Sequence, residues 1–419
     1  MLYDKFLHNL SQLRLEKCDE QCDSFVVAFS GGVDSTALLL LSSIYAKQHN
    51  NKLVAVTIDH QLRPESSKEA AGLTTLCNSL QIEHVVLRWE HSGVAGNVME
   101  QARDARYKLL TNFCNDNGIG LILTAHHLDD NIENFFIKLS RGSGIKGLVE
   151  HNKAQFNGVL VGRPLFDITK SELLLYVQDK GVPWVEDSSN VSDKYFRNVI
   201  RKNLDSFLTT QYLQPDLFKK RIATSQKNLE YVAKVFDYFC NQILSEHVKV
   251  HDYGFVTIQN VSQIKFIAVW HEILCKYLCI VSGQVSKLPR RESLQHTIEQ
   301  IITVGDFVST LHGCNIAHVE DTILIYRELG KSLPYAVPCS VGNTWDGRFE
   351  VISDVRDAYV DLMHPEEYMD VKDDYELILL EFLPKKYHKK ISLTLPVVRF
   401  KENIINYKDA SEILRFKIA

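Results

Sequence analysis

The first 190 residues alternate short apolar runs with longer amphipathic stretches. Four apolar runs have the length and composition of buried strands, namely Phe25–Ser30, Leu53–Asp59, His84–Leu87 and Leu121–Ala125. The stretches that follow them have helical periodicity, at Ser35–Gln48, Ser66–Leu80, Asn97–Asn115 and Asp130–Leu139. Strands that alternate with helices need crossover connections, so the pattern predicts an α/β fold with a parallel sheet covered on both faces.

Polar residues cluster where three of these predicted strands end, at positions 30–35, 59–63 and 125–133. In a parallel sheet these ends meet at one edge, and ligands bind beyond that edge. The pattern therefore predicts one binding site that is assembled from three separate stretches of the chain.

The predicted secondary structure changes twice along the rest of the chain. A capping box at Thr169–Glu172 starts a helix that stops at Gly181, and a lysine-rich helical pattern runs from Pro215 to about Val250. Two amphipathic helices and three short strands follow, at Ser262–Val281, Arg291–Thr303, Asp306–Leu311, Ile316–His318 and Ile323–Arg327. Beyond a proline-bracketed linker, Ser332–Pro338, the runs are short and β-like. We predict a catalytic α/β domain (1–212), a mostly helical middle domain (213–332) and a small β-rich domain (333–419).

Composition narrows the class of protein. Of the 419 residues, 45% are hydrophobic and 24% are charged, as in ordinary globular chains, and no apolar run approaches the length of a membrane span. The first residues lack the pattern of a secretory signal, and nine scattered cysteines do not form a disulfide framework. These features predict a cytoplasmic protein with no membrane segment.

Charge is unevenly distributed along the chain. The net charge is −5, yet the stretches 194–234 and 383–408 each carry about +6. Such local patches bind phosphates even when the whole chain is acidic. The alternative, a solvated helix face and a solvated loop, is equally consistent with charge alone.

The sequence Ser30-Gly31-Gly32-Val33-Asp34-Ser35 follows the first predicted strand and opens an apolar helix. Its glycines allow a tight turn, and the helix N-terminus directs positive partial charge at the same place, which suits a pyrophosphate. Asp34 is an anion and cannot hold phosphate. We interpret it as a ligand of Mg²⁺ or as a group that orients a nucleophile. A capped glycine turn without function is the alternative.

This loop resembles the PP-loop of the N-type ATP pyrophosphatases, enzymes that cleave ATP between its α- and β-phosphates. The resemblance implies an adenine nucleotide alpha hydrolase-like fold and ATP binding by residues 30–35 together with His126. The chain lacks G-x-x-x-x-G-K-[ST], and it lacks G-x-G-x-x-G at this loop, so Walker-type and dinucleotide-binding folds are disfavoured.

Further clusters over the first 200 residues resemble those of bacterial tRNA(Ile)-lysidine synthases. They are Asp59–Arg63, the pattern of Glu100, Arg103, Arg106 and Tyr107, Ala125–Asp130 with Glu133, Arg141–Leu148, Arg163–Leu165, and Trp184–Asn190 followed by Arg197 and Arg201. The family usually has Thr after the glutamate of its D-D-x-x-E motif, where this chain has Asn134. That difference leaves the role of position 134 open.

Residue chemistry within these clusters suggests individual roles. Arg103 and Arg106 suit phosphate or a charged leaving group. Asp130 and Glu133, one helical turn apart, suit the ammonium of lysine and its deprotonation before attack, although an aspartate there can also cap the helix. We therefore predict four catalytic residues, namely Asp34, Arg103, Asp130 and Glu133. Candidates for tRNA contact are Arg197, Arg201, Lys385 and Lys386.

The resemblance implies a two-step ligation. ATP would adenylate the wobble cytidine of a minor isoleucine tRNA with a CAU anticodon, and free lysine would then displace AMP. ATP, Mg²⁺, lysine and this tRNA are the expected substrates, cofactor and partner, and the oligomeric state, including a homodimer, is left open. The alternatives are a tRNA thiolase of the same fold, which needs reactive cysteines, and a non-catalytic nucleotide-binding module.

Overall fold

The computed structural model describes residues 2–15, 23–61, 66–91, 98–185, 196–208, 214–285, 287–330, 334–370, 372–373, 379, 384–400, 403–407 and 409–417. The chain divides into two compact units, Met1–Lys234 and Val235–Ala419. The finer division into three domains, with boundaries after residues 212 and 332, stays a prediction.

The first unit is an α/β domain. Its described helices are α1 to α8, at Leu2–Leu15, Val33–His49, Ser66–Ser79, Val98–Asp116, Leu128–Ser140, Ile145–Leu148, Lys170–Lys180 and Phe196–Leu208. Its described strands are β1 to β6, at Ser24–Ala28, Lys52–Asp59, Glu83–Arg88, Leu121–Leu123, Lys153–Phe156 and Val159–Gly162. The four strands and the helices expected from the sequence are confirmed, while α1 and the β5–β6 hairpin were not predicted.

The strands form one sheet in the order β3-β2-β1-β4-β6-β5. All neighbours are parallel except β5 and β6. The chain moves outward from β1 to β3 and then crosses back to β4 on the other side of β1. This reversal puts the switch point between β1 and β4, where the connections that leave these two strands part and open a crevice.

Alternating side chains of the sheet enter two separate cores. Phe25 and Val27 pack on one face with helices α1, α2, α3 and α7, whereas Val26 packs on the other with Tyr107 and Leu110 of α4. Both faces of β1 are thus buried, which explains its uninterrupted apolar sequence. The layered core fixes the ends of β1 and β4, from which the site is built.

Helix α9, Pro215–His247, runs from the first unit into the second. The second unit contains α10 (Ile267–Ser282), α11 (Arg291–Thr303) and α12 (His388–Ser392) among its described residues. Its described strands are β7 to β18, at Val248–His251, Phe255–Gln259, Phe307–Leu311, Cys314–Val319, Thr322–Arg327, Val337–Pro338, Thr344–Trp345, Phe349–Val351, Ala358–Leu362, Pro396–Phe400, Asn403–Asn406 and Leu414–Phe416.

The described strands of the second unit form three antiparallel sheets. Their orders are β7-β8-β11-β10-β9, β12-β15-β16-β17 and β13-β14-β18. The helical middle and the β-rich end are as predicted, and the middle additionally contains the first of these sheets, in which β7 and β8 were not predicted. None of the helices in the described ranges combines the length and apolar character that a membrane crossing requires.

Candidate active site

The loop after β1 is a compact turn held by its own hydroxyl groups. The Oγ of Ser35 donates to the carbonyl of Gly32 at 2.9 Å and lies 3.2 Å from the Oγ of Ser30. The backbone N–H of Thr36 also donates to Gly32, at 2.9 Å, and so begins the α2 ladder. Because the N-cap Gly32 has no side chain, the first N–H groups of α2 remain available to an anion.

Gly31 is the position of this turn where only glycine fits. Its φ is +82°, and a Cβ there would lie 2.5 Å from Cδ2 of Leu73 on α3. The carbonyl of Gly31 accepts a hydrogen bond at 2.8 Å from the N–H of Val185, which ties a distant segment to the loop. The predicted tight turn is therefore present, and its backbone shape depends on the glycine.

Asp34 lies in the first turn of α2, and its two carboxylate oxygens differ in their contacts. Its Oδ2 is 3.5 Å from Nε2 of His127. Its Oδ1 is buried and finds no hydrogen-bond partner among the described residues. A buried carboxylate oxygen without a partner is costly, so this atom is a natural contact for a bound cation.

His127 joins the two halves of the site. It is 4% exposed, and its Nε2 lies 3.5 Å from Asp34 and 3.6 Å from Oδ2 of Asp130. It is also the N-cap of α5, since its side chain accepts from the N–H of Asp130 and its own N–H donates to Asp130 Oδ2. The capping aspartate considered from the sequence is thus the reciprocal partner of a histidine cap.

Burial and neighbouring charges act in opposite directions on the pKa values of His127 and Asp130. Burial works to lower the pKa of His127, but the carboxylates of Asp130, Asp34 and Asp129 outweigh it and raise the pKa above its ordinary value. Burial likewise works to raise the pKa of Asp130, but the cations His127 and Arg197 lower it below its ordinary range. Each group thus shifts the pKa of the other in the direction that favours its charged form.

The two carboxylates expected to receive lysine are already engaged by arginines. Glu133 is 5% exposed, and its oxygens accept from Nε of Arg197 at 2.7 Å and from Nε of Arg201 at 2.5 Å. Arg197 also reaches Oδ1 of Asp130 through Nη2 at 3.2 Å. Arg197 and Arg201, which we predicted to contact tRNA, thus bind carboxylates in this structure, and both their tRNA role and the lysine role of Glu133 stay predictions.

A group of cations faces His126. Burial, followed by the guanidinium of Arg163, lowers the pKa of His126 to about 3, and Arg106 and Arg103 act in the same direction against Asp130. The imidazole is therefore neutral, and its Nδ1 lies 3.0 Å from the Oγ1 of Thr124. Three guanidiniums near an uncharged histidine create a positive field suited to phosphate, and the phosphate roles of Arg103 and His126 stay predictions.

Arg103 and Arg106 are positioned by an aromatic residue of the same helix. The guanidinium carbon of each lies 5.2 Å from the centre of the Tyr107 ring, which is itself buried and stacks on Phe156 at 4.5 Å. The helical spacing seen in the sequence therefore serves to orient two cations with one ring. Arg103 is exposed and Arg106 is half-buried.

Some of the sequence expectations lie elsewhere. Lys385 and Lys386 are exposed in the second unit, where Nζ of Lys386 lies 5.1 Å from the Tyr387 ring. The motif residues 62–63 and 186–190, together with Asn97, lie outside the described residues. Residues that sequence reasoning missed include Glu150, which pairs with Lys138, and Gln226, which donates to Asn131, because neither pairing follows a regular spacing in the sequence.

A glycine turn and a helix N-terminus at the switch point of a parallel sheet define a phosphate-binding α/β domain. The sequence family of ATP-binding PP-loop domains matches residues 3–207, which places this chain in that class.

Relatives extend over nearly the whole chain. The tRNA(Ile)-lysidine synthase of Orientia tsutsugamushi (strain Boryong) is 36% identical over 411 residues, which cover 96% of this chain and 91% of the relative. That of Rickettsia prowazekii (strain Madrid E) is 34% identical, covering 97% and 93%. The chain therefore belongs to the tRNA(Ile)-lysidine synthase family. Among solved structures, the U34-tRNA thiolase from Methanococcus maripaludis aligns with a TM-score of 0.45 and 18% identity, over 55% of this chain and 78% of that one.

Proposed function

We propose that this protein ligates free lysine to the wobble cytidine of a minor isoleucine tRNA with a CAU anticodon, using ATP and releasing AMP and pyrophosphate. One observation carries the proposal. A single nitrogen, Nε2 of His127, lies within 3.6 Å of both Asp34 in the phosphate loop and Asp130 at the start of α5. The phosphate-binding element and the candidate amine-binding carboxylate thus belong to one site.

In the first step, the 2-carbonyl oxygen of cytidine attacks the α-phosphorus of ATP, and the bond to pyrophosphate breaks. The leaving pyrophosphate carries negative charge, which the N–H groups at the start of α2 stabilise. Arg103 and Arg106, oriented by Tyr107, are placed to bind the phosphates as well. Neutral His126 adds a hydrogen-bonding group without adding charge of its own.

We infer that Mg²⁺ accompanies ATP and that Asp34 holds it. The buried Oδ1 of Asp34 has no hydrogen-bond partner among the described residues, and a carboxylate oxygen is a preferred ligand of this ion. When bound, the ion neutralises phosphate charge. His127, through its Nε2 contact with the other oxygen, fixes the orientation of the carboxylate.

In the second step, the ε-amine of lysine attacks C2 of the adenylated cytidine, and the carbon–oxygen bond to AMP breaks. The amine is an ammonium in solution, with an ordinary pKa near 10.4, so it must lose a proton before it attacks. Asp130 is the acceptor best placed for the ammonium, beside the phosphate loop. Glu133 joins it only if Arg197 or Arg201 releases the carboxylate.

A labelled-lysine experiment tests the function directly. The full-length chain, ATP, Mg²⁺ and radiolabelled lysine are incubated with the isoleucine tRNA, and label in the tRNA is measured along with released pyrophosphate. We expect label only when ATP and the correct tRNA are both present. Pyrophosphate release without any incorporation of lysine would contradict the proposal.

Binding of tRNA is the next part of the proposal, and the exposed lysines at 385 and 386 are its test. The double change Lys385→Glu and Lys386→Glu should weaken tRNA binding. It should also make binding less dependent on salt concentration, because fewer phosphate contacts release fewer counterions. Lys265→Glu, at an exposed lysine outside both basic stretches, is the control. Equal effects of the two changes would remove these lysines from the tRNA surface. The cytoplasmic location and a homodimer stay predictions.

A thiolase reaction is the alternative that the cysteines can decide. A reactive cysteine needs a low pKa. Burial instead raises the pKa of Cys77 to about 11 and that of Cys114 to about 12, so both remain thiols. Replacement of all cysteines by serine should leave lysine ligation intact, and loss of ligation in a folded variant would reopen the alternative.

A further inference from the structure

A histidine inside the α/β domain bridges two threonines. His84 of β3 is half-buried, and its Nε2 lies 2.8 Å from Oγ1 of Thr57 on β2. Its Nδ1 lies 2.9 Å from Oγ1 of Thr74 on α3. Both ring nitrogens are therefore engaged, and one side chain connects β2, β3 and α3.

The hydroxyl of Thr57 determines which nitrogen of His84 carries the proton. This hydroxyl is buried, and it donates to the backbone carbonyl of Phe29 at 2.7 Å. A hydroxyl has only one hydrogen, so Thr57 accepts from His84, and Nε2 is the donor. Nδ1 is then left to accept from Thr74. Burial lowers the pKa of His84 below its ordinary value, which favours this neutral imidazole.

The carbonyl that Thr57 holds leads into the phosphate loop, which is the turn after β1. In a trans peptide the C=O and the following N–H point in opposite directions, so fixing the Phe29 carbonyl also fixes the N–H of Ser30. That N–H donates to Oγ of Ser35 at 3.3 Å, and the Ser35 hydroxyl donates to the carbonyl of Gly32 at 2.9 Å. The donors therefore run in one direction from α3 into the loop.

We propose that His84 is a positioning residue for the phosphate loop: by donating to Thr57 it orients the Phe29 carbonyl, and with it the N–H groups that bind the pyrophosphate part of ATP. This inference rests on the proposed function, in which the loop binds ATP, and adds a residue that sets the shape of the loop. Hydrogen bonds arranged head to tail strengthen one another, so loss of the donor at His84 weakens the bonds that follow.

Helix α3 supports the same loop at a second point. Leu73 lies against Gly31 so closely that a Cβ on the glycine would be 2.5 Å from Cδ2 of the leucine. Thr74, the next residue of α3, lies against Nδ1 of His84. Two consecutive residues of one helix therefore contact the loop, the first directly and the second through the histidine.

Packing and hydrogen bonding at His84 can be separated by choice of substitution. The rings of His84 and Phe29 meet edge to face, with their centres 6.3 Å apart. His84→Phe keeps a ring at this contact and removes both nitrogens. His84→Gln places an amide donor near the position of Nε2, whereas the shorter side chain of His84→Asn reaches only the position of Nδ1.

Calorimetric titration with ATP measures the effect on the full-length protein. We expect His84→Phe to weaken ATP binding roughly 5- to 20-fold, the size of effect seen when a buried polar group loses its hydrogen-bond partner. His84→Gln should recover most of this affinity and His84→Asn should not, because only the Nε2 donor reaches Thr57. Equal ATP affinities in the Gln and Asn variants would overturn the role of Nε2.

A double-mutant cycle tests whether His84 acts through the hydroxyl of Thr57. Thr57→Val removes the hydroxyl with little change in shape, and it should weaken ATP binding at least as much as His84→Phe does. In the Thr57→Val background, His84→Phe should have less than about a twofold further effect, because the hydroxyl that it orients is already gone. A contribution of His84 to packing alone predicts additive losses, and additivity would overturn the proposal.

Thr75→Val is the matched control. Thr75 lies beside Thr74 on α3, but its hydroxyl is exposed and donates to the carbonyl of Ala71 at 3.4 Å, so its loss should leave ATP affinity unchanged. A loss equal to that of His84→Phe would overturn the proposal, because any change on α3 would then suffice. The stoichiometry of each titration gives the fraction of folded protein, which separates weaker binding from unfolding.

The same titrations distinguish failure of this inference from failure of the proposed function. If the unmodified protein binds ATP but ligates no lysine, the proposed function fails, and the role of His84 is still decided by the variants. If the unmodified protein binds no ATP, both are overturned.

Discussion

The ion pairs of Glu133 predict a large loss of stability from a change that barely alters the shape of the side chain. Glu133→Gln keeps that shape but removes the charge that Arg197 and Arg201 share. Breaking a buried ion pair by removing one partner costs about 3–5 kcal/mol. The arginines are 37% and 29% exposed and regain water, so we reduce the expected loss to about 2–3 kcal/mol.

Thermal unfolding of the full-length chain measures this loss. For a unit of about this size, each kcal/mol lowers Tm by about 2–4 °C, so the transition of the first unit should fall by roughly 4–12 °C. The control is Glu83→Gln, whose carboxylate is 51% exposed in its pair with Lys52. Exposed pairs contribute about 0–1 kcal/mol, so the control should barely move. Equal shifts in the two variants would refute the view that Glu133 is a buried, doubly bound charge.

Three further changes test the site. Asp34→Asn should lower the rate of pyrophosphate release, measured with ATP and tRNA, by roughly 100-fold or more, because the change removes the carboxylate charge from the proposed reaction centre. Normal release would exclude Asp34 from catalysis. Gly31→Ala should weaken ATP binding in a titration, because the backbone φ of +82° and the 2.5 Å distance to Leu73 leave no room for a Cβ. Gly118→Ala is the control, since Gly118 also has a positive φ but lies in open space, and it should not change ATP binding. His126→Gln should remove about 2.3 kcal/mol of acid destabilisation between pH 6.5 and 4.5 in urea unfolding, because the unfolded histidine takes up a proton around and below pH 6.5 while the folded one, with a pKa of about 3, does not. An unchanged pH dependence would contradict the burial of His126 among cations.

The α/β fold is predictable because its signals are local. A strand buried on both faces needs an unbroken apolar run, and such a run is visible in the sequence of β1 and β2. The rule that ligands bind beyond the ends of parallel strands then places residues 30–35 and 125–133 together from the sequence alone. The amphipathic spacing of α11 even gives its bounds, Arg291–Thr303.

Two elements that were not predicted nevertheless have local signals. Asn157-Gly158 joins β5 to β6 with φ of +45° and +82°, and an Asn-Gly pair between short apolar runs is a strong hairpin signal. In α1, Phe6, Leu10 and Leu13 recur at helical spacing and are all buried.

The ion pairs of the site have no such local signal. Glu133 meets Arg197 and Arg201 across 64 and 68 residues of chain, and sequence spacing does not reveal which of several basic residues folds onto a given carboxylate. The place of these arginines beside a basic stretch suggests tRNA contact instead. Glu150 escapes notice for the same reason, because a glutamate gains significance only once Arg163 and Lys138 are seen beside it.

The start of α5 is held from several directions at once. His127 faces Asp34 of α2, and Asp130 and Glu133 face Arg197 of α8. On the remaining side, Asp129 pairs with Lys219, and Asn131 accepts a buried hydrogen bond at 3.0 Å from Gln226, both of α9.

Five side chains between residues 127 and 133 thus contact three other helices. The proposed reaction must align an amine with a phosphate, and rigid elements hold reacting groups better than loops do. Helix α9 contacts α5 through the side chains of Lys219 and Gln226, both within the first unit. These two contacts hold Asp129 and Asn131, the sequence neighbours of the proposed lysine-binding carboxylate Asp130.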